Sequence, residues 1–596
     1  MSQINTSWNL DLLKKGNSFP KKRKTIEKNN YDFINKWRKR DDYLKDPGTL
    51  KKALFEYEKI MREHGTGGDE DFYYSLKERL NQNNPDIKAK VKKINDFSIK
   101  IANDLEFFLL RISKIPTDKQ ERFLSFPDLN EYHHFLKRLF EESKHLLSEK
   151  EEIIMNLKSN PAYANWVKTV SMFLSKEVKD VLDEDGKIKK KNFSEILSLL
   201  NSRNKKTRDS AAGAFNEILK KHSDIAEAEI NSVLENKKID DELRGFERPD
   251  SARHISDDVE TKVIDNLVEL VVKKFSISKR YYRLKSKLTN VKKLKYHERN
   301  VPIGKIEKEY GFTESVDLVN KVFSDLDPEF SEIFNNFLEN GQIDAFPKKA
   351  KTSGAFCSAN LLSQPTFVLL NHTDKLHDVT TLAHEMGHAI NYELMRKKQN
   401  ALNFGTVLST AETASTFMED FVLRKVMKKA DDELKLSILM KKLNNDISTI
   451  FRQIACYKFE QELHKKFRKK GYLSKKEIGD LFSDHMDAYM GDYIEQSSGS
   501  KNWWVYWSHI RYFFYNYSYA FGLLISKSLQ NAVKKDPDFI GKVKEFLSAG
   551  TSDSPKNIMR NLGIDISDKS FWENGLDEIE ELLEETEILA KDMGKV

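Results

Sequence analysis

Cysteine is nearly absent from this chain: Cys357 and Cys456 are the only two among 596 residues. Two thiols cannot build a disulfide framework, so the sequence reads as that of a protein from a reducing compartment, and neither thiol is needed for a metal cage. Proline is sparse as well, 13 residues against abundant Lys, Glu and Leu, a balance that favours helices. No uninterrupted apolar run is long enough to cross a bilayer, and the first residues contain no apolar core of signal-peptide length. These absences exclude a membrane partner and make a cytoplasmic location the default. Focused charge is also missing, because Lys+Arg at 100 nearly balance Asp+Glu at 93 and the net +7 is diluted over the chain. A nucleic-acid partner is therefore not expected. The compact basic cluster Pro20-Lys-Lys-Arg-Lys24 has the form of a nuclear-import signal, but in a lysine-rich chain it reads as solvated surface.

What is present is a chain long enough for several structural units and an enclosed site. It is organised around Thr381-Leu-Ala-His-Glu-Met-Gly-His-Ala-Ile390. Residues four apart on an α-helix differ by about 40° in azimuth and roughly 6 Å in rise, so His384 and His388 can converge on one ion. Zinc suits neutral imidazole nitrogens and, in catalytic sites, takes three protein ligands while leaving one position open. Glu385, beside the first histidine, has the place of the general base in the His-Glu-x-x-His pattern. The competing reading is an amphipathic helix with Val379, Leu382, Ala383, Met386 and Ile390 on its core face. Gly387 argues against it, because glycine inside a helix costs about 1 kcal/mol relative to alanine and marks a close approach.

A third ligand comes from Ala411-Glu-Thr-Ala-Ser-Thr-Phe-Met-Glu419, where Glu412, Ser415 and Glu419 share a helical stripe. Between His388 and Glu412 lie 23 residues, enough to finish one helix, pass a loop containing Gly405 and begin an antiparallel neighbour. Glu412 is assigned as ligand and Glu419 as the carboxylate that orients a metal-bound histidine through its other ring proton.

With these residues in place, the sequence resembles oligoendopeptidase F, of the thimet oligopeptidase family of zinc metallopeptidases. The likeness rests on Asp378-Val-Thr-Thr-Leu-Ala-His-Glu-Met-Gly-His-Ala389 and on the Glu412 segment. It extends to Leu243-Arg-Gly-Phe-Glu247, Arg280-Tyr-Tyr-Arg-Leu-Lys285, Gly354-Ala-Phe-Cys357 and Pro365-Thr-Phe-Val-Leu-Leu-Asn371, and more weakly to Ser7-Trp-Asn-Leu-Asp11. It implies a mainly α-helical, zincin-like metallopeptidase with a small β-sheet beside the active-site helix, one zinc ion per chain, and helical portions enclosing a deep channel that admits oligopeptides. It also implies that a histidine and tyrosines of the aromatic region below face the zinc helix. In Tyr296-His-Glu-Arg-Asn-Val-Pro302 the aspartate that often follows the tyrosine in relatives is missing, so that segment carries no role.

In chain order, residues 1 to about 115 read as polar helices, and Tyr132, Phe135, Leu136 and Leu139 continue helical spacing after Phe126. His133 and His134 diverge by about 100° on a helix and are expected to be exposed. Asp183-Glu-Asp-Gly186 is a turn, and a soft boundary near 205 separates an N-terminal helical domain, 1–205 with a family-like segment at 118–185, from a catalytic domain, 206–596. Thr207 to Leu234 reads as one amphipathic helix. Arg244 and Arg283 are expected in ion pairs rather than on substrate. The Pro365 run has strand character and is either an edge that pairs with a peptide backbone or a buried structural strand. Gly354, Ala355, Phe356 and Tyr515 are candidate substrate contacts.

Residues 430 to 490 continue as long helices, followed by the densest aromatic region, Trp503 to Tyr519. Periodicity predicts one helical face carrying His509, Tyr512, Tyr515 and Tyr519. Phenol and imidazole donors aimed at a developing oxyanion would stabilise the transition state more than the substrate. Tyr519 and Tyr512 are favoured over Tyr515 for that role. The resulting expectation is a zinc endopeptidase acting on internal bonds of short, unfolded peptides. An exopeptidase trimming termini and a helical peptide-binding scaffold with structural zinc remain open, although a structural zinc has no use for Glu385.

Overall fold

A computed structural model describes residues 4–14, 16, 18–304 and 308–596. The chain divides into two compact units, each assembled from three stretches: Met1–Lys144, Glu307–Lys428 and Leu529–Asp565 in the first, His145–Ile306, Lys429–Ser528 and Ile566–Val596 in the second. Residue 205 opens helix Lys205–Lys221, within the His145–Ile306 stretch of the second unit. Helices dominate both units, and among the described residues no helix is long and apolar enough to cross a membrane.

In the first unit, helices Phe19–Trp37, Pro47–Glu63, Pro85–Ser113 and His133–Ser143 close over an aromatic core containing Phe33, Trp37, Tyr43, Phe108 and Tyr132. His133 is exposed as expected, but His134 is buried, only 5% exposed, with Nδ1 3.5 Å from Asp553. The 100° step between neighbours that keeps the two rings apart is what turns the second one into the core.

A three-stranded sheet runs in the order Ile343–Asp344, Phe367–Leu369, Phe356–Ser358. Ile343 pairs with Val368 in parallel, and Cys357 pairs with Val368 in antiparallel register. The Pro365 run is therefore the centre of the sheet, fully buried at Phe367, Val368 and Leu369, and the edges are Ile343–Asp344 and Phe356–Ser358. Trp8 covers this sheet, donating its indole N–H to the Val368 carbonyl at 2.8 Å and packing on Phe356 and Phe367.

The motif helix, Leu376–Lys398, begins where Asp378 accepts the main-chain N–H groups of Thr373 and Lys375 at 2.8 and 3.0 Å. A carboxylate at the positive end of the helix dipole and Arg396, Lys397 and Lys398 in its last turn both favour it. The carboxylate helix, Thr413–Met427, packs beside it, with Glu412 as its N-terminal cap residue.

In the second unit, a hairpin of Val178–Leu182 and Ile188–Asn192 is closed by the Asp183 turn. The expected single helix from Thr207 is instead two, Lys205–Lys221 and Ser223–Leu243, interrupted at His222, whose ring is held 2.8 Å from Glu177. Arg244 pairs with Glu152 and Asp240, and Arg283 lies 4.0 Å from Glu587, so both arginines sit in ion pairs. Helices Asp432–Asp446, Gln453–Lys470 and Lys475–Met490 fill the 430–490 stretch. The aromatic region is not one helix: short 3-10 turns at Ser500–Val505 and Ser508–Arg511 precede a helix that begins only at Tyr517.

A candidate metal centre and a separate donor segment

His384 and His388 project from the same side of the motif helix, their rings 5.1 Å apart. The Glu412 Oε2 atom lies 3.3 Å from His384 Nε2 and 3.5 Å from His388 Nε2, and one ligand atom from each of the three residues falls within 4.8 Å of the others. Glu419 approaches the other side of the first ring, Oε2 to His384 Nδ1 at 3.2 Å. The four side chains thus have the relation expected of three ligands and one orienting carboxylate.

Close packing of the two helices brings them together. A Cβ on residue 387 would sit 2.7 Å from both the Ala414 carbonyl oxygen and the Ser415 Cα, so glycine is what allows the carboxylate helix to approach. Glu412 has φ −89° and ψ 1°, in the sparsely populated bridge region, at the positive end of its helix. Ser415 donates from Oγ to Glu412 Oε2 at 2.8 Å and fixes the rotamer.

The electrostatics are those of a cation site. Burial works against a charged His384 imidazole, but the hydrogen bonds it donates to Glu412 and Glu419 outweigh it and push the ring up to about 10. Burial likewise opposes the Glu412 carboxylate, and the two histidines overcome it and hold the group well below its usual range. Two imidazoles with one carboxylate are a donor set suited to zinc, and His384, His388 and Glu412 would hold such a cation. Burial raises the Glu385 carboxyl above its ordinary value, opposed by His384 and His388 and by the Cys357 main-chain N–H.

The pair opens on a cavity of about 370 Å³ lined by Ala355, Phe356, Cys357, Asn391, Tyr392, Thr406 and Ala411 together with His384, Glu385, His388 and Glu412. Ala355 and Phe356 are at the cavity wall as expected, while Gly354, at φ +81°, supplies the turn before them and is not part of the lining. Sequence reasoning missed Ser415 as a partner of Glu412, although the i, i+3 spacing contained it. Tyr392 was legible too, four residues beyond His388 on the same helix face. Thr406, on a loop, left no periodic signal. A second group of possible ligands, Asp209, His297 and Glu298, has its carboxylates already engaged by Lys205 and Arg208.

The donor segment belongs to the second unit. His509, Tyr515 and Tyr519 meet as rings: His509 stacks on Tyr515 at 5.2 Å and lies 6.1 Å from Tyr519, and the two tyrosines are 5.7 Å apart. Tyr512 is not in that ring cluster and is 50% exposed. The helical face expected from periodicity does not exist, because Phe513 and Phe514 stand at φ 53° and 58°. Left-handed backbone costs a non-glycine residue about 1–2 kcal/mol, so two in succession persist only where surrounding contacts hold them. Burial, with Arg452 nearby, lowers the His509 ring to about 4, which leaves it a neutral imidazole.

Residues 198–578 match the family model of peptidase family M3, well over half of the chain, and residues 111–176 match that described as oligopeptidase F. This chain belongs to peptidase family M3. Membership in that family makes it a metallopeptidase. An oligoendopeptidase F homolog of Borreliella burgdorferi is 25% identical over 544 residues, 90% of either chain. Oligopeptidase PepF of Bacillus subtilis is 24% identical over 548 residues, 89% of this chain and 78% of that protein. A crystal structure of a Chlamydophila abortus protein superposes with a TM-score of 0.87 at 22% identity, covering 98% of this chain and 100% of that one. Oligoendopeptidase-F from Enterococcus faecium gives 0.70 at 18% identity, over 96% and 99%. The architecture is accordingly the mainly α-helical, zincin-like fold of M3 peptidases with small sheets.

Proposed function

We propose that this M3 peptidase is a zinc-dependent endopeptidase that hydrolyses internal bonds of short, unfolded oligopeptides, with Glu385 as general base. The convergence of His384, His388 and Glu412 within 4.8 Å, in one cavity with Glu385, carries this reading. When bound, zinc supplies a Lewis acid that acidifies a water and polarises the peptide carbonyl. Glu385, its carboxyl raised by burial, takes the proton of the attacking water and passes it to the leaving amine. Glu419 orients His384, and Ser415 orients Glu412.

In the same reading His509, Tyr512, Tyr515 and Tyr519 supply donors to the carbonyl oxygen as it gains charge. The lowered pKa of His509 supports this role, since a neutral imidazole keeps one N–H to give at neutral pH. The substrate backbone is taken by Ala355, Phe356 and the edge strand Phe356–Ser358, next to the cavity. Among the described residues lining that cavity there is no lysine or arginine to read a terminal carboxylate, which favours internal cleavage over trimming from the C-terminus. Two unpaired cysteines fit a cytoplasmic setting.

Incubation of the purified protein with a defined peptide mixture tests the proposal. Product masses should report internal cuts that stop with a chelator and return with zinc. Glu385→Gln should keep its zinc and lose turnover by about 10³-fold, within the range for a general base. Stepwise loss of single terminal residues, or substantial turnover by Glu385→Gln, would refute the proposal.

A further inference from the structure

Glu460 is completely buried on helix Gln453–Lys470 of the second unit and has no place in the proton transfers above. Its two carboxyl oxygens are both spent on the donor segment: Oε1 accepts the main-chain N–H of Phe514 at 2.8 Å, and Oε2 accepts the Asn516 side-chain amide at 3.2 Å. Those two partners flank Tyr515. Phe514 is one of the two consecutive residues in left-handed backbone, and Asn516 is buried completely.

The segment divides cleanly by direction. Inward-facing residues are each tied down: Arg511 makes a two-pronged pair with Glu229 at 2.8 and 2.7 Å, Phe514 and Asn516 hold Glu460, and Tyr517 donates to Asp257 at 2.6 Å. Outward-facing His509, Tyr515 and Tyr519 are partly exposed and touch one another as rings. The left-handed pair at 513 and 514 belongs to the backbone path on which the three rings meet. An unfavourable backbone conformation needs a contact that is made only there, and the Glu460 to Phe514 bond is such a contact.

We propose that Glu460 is a positioning residue for this donor segment: its buried carboxyl holds the Phe513–Phe514 backbone in the conformation that brings Tyr515 against His509 and Tyr519. The inference rests on the reading of these rings as donors in peptide hydrolysis. Burial pushes the Glu460 carboxyl up to about 8, even with the Phe514 and Asn516 donors, Lys237 and Arg253 opposing the shift. At neutral pH the group is thus largely uncharged. A protonated Oε2 can bond to the Asn516 amide oxygen, which has no other partner among the described residues, once that amide is turned over. Glutamine offers the same pair, an oxygen for Phe514 and an N–H for the Asn516 oxygen.

The test is Glu460→Ala beside Glu460→Gln, with kcat and KM measured on an internally quenched oligopeptide, zinc content by atomic absorption, and thermal unfolding. Glu460→Ala should lose kcat by at least about tenfold with KM changed less than about threefold and zinc retained, and Glu460→Gln should return to within about threefold of the parent. Asn516→Ala, which leaves the Phe514 bond in place, should show a smaller kcat loss of the same kind and serves if Glu460→Ala does not fold. Parental kcat in Glu460→Ala, or in Asn516→Ala where that variant stands in, overturns the proposal. So does a loss in Glu460→Gln equal to that in Glu460→Ala. His509→Ala, run in parallel, separates the two levels: unchanged kcat there overturns the donor reading itself, whereas a loss there without one in Glu460→Ala overturns only the positioning role.

Discussion

Gly387 on the motif helix and Ala414 on the carboxylate helix meet backbone to backbone, so that even a methyl group on residue 387 would fall 2.7 Å from the Ala414 carbonyl oxygen. This contact sets the distance from which Glu412 reaches both histidines. Gly387→Ala should therefore weaken zinc binding although alanine is the better helix former. The helix gains about 1 kcal/mol of propensity and loses about 1–3 kcal/mol to overpacking against main chain that cannot rotate away. Zinc titration of the apo-protein checks it, and parental affinity would show that the helices can separate without moving Glu412.

Glu419 bonds the ring nitrogen of His384 opposite the one that faces Glu412. Its removal in Glu419→Ala should lower zinc affinity by about 10–100-fold, the usual effect of losing such a partner, while Glu385 chemistry in the zinc-saturated protein is changed less. Activity restored by excess zinc is the expected outcome. A deficit that zinc does not restore would place Glu419 in the proton transfer instead.

Tyr519 touches both His509 and Tyr515, at 6.1 and 5.7 Å between ring centroids. Tyr519→Phe keeps the ring and removes the hydroxyl, so it should reduce kcat by about 10- to 100-fold and leave KM nearly unchanged. A variant with parental kcat returns Tyr519 to a packing role.

Acid stability should depend on His254, which is buried with Nε2 2.9 Å from the Tyr457 hydroxyl and Nδ1 2.9 Å from Thr261 Oγ1. Burial lowers the ring from 6.5 to about 4, with Asp250 and Asp265 opposing the shift and Arg248 and Arg253 adding to it. The unfolded chain then binds a proton that the folded chain refuses. The contribution is complete above pH 6.5 and is lost as pH falls from 6.5 to about 4, amounting to about 3 kcal/mol. Urea unfolding of the apo-protein across this window should be steeper in pH for the parent than for His254→Gln. Equal slopes would assign the acid sensitivity elsewhere.

Local spacing carried the candidate metal centre. His384, Glu385 and His388 need only one turn of helix to converge, and Glu412 and Glu419 need only a second helix with the same period. The donor segment was misread for the opposite reason. His509, Tyr512, Tyr515 and Tyr519 have helical spacing, but Glu229, Asp257 and Glu460 bind the intervening residues and enforce a path that no period describes. The Pro365 run showed strand character without revealing its place in the sheet, because its partners, Ile343 and Phe356, come from separate loops.

The amino-acid order alone therefore determined a helix-rich chain and pointed to its candidate metal ligands and the carboxylate proposed as proton acceptor, since each is a property of a few neighbouring side chains on a regular element. Only the tertiary structure decided which strand is central in the sheet, how closely Gly387 lets the motif and carboxylate helices approach, and which aromatic rings form a cluster. Those depend on contacts between distant segments, where burial and hydrogen bonding outweigh local conformational preference.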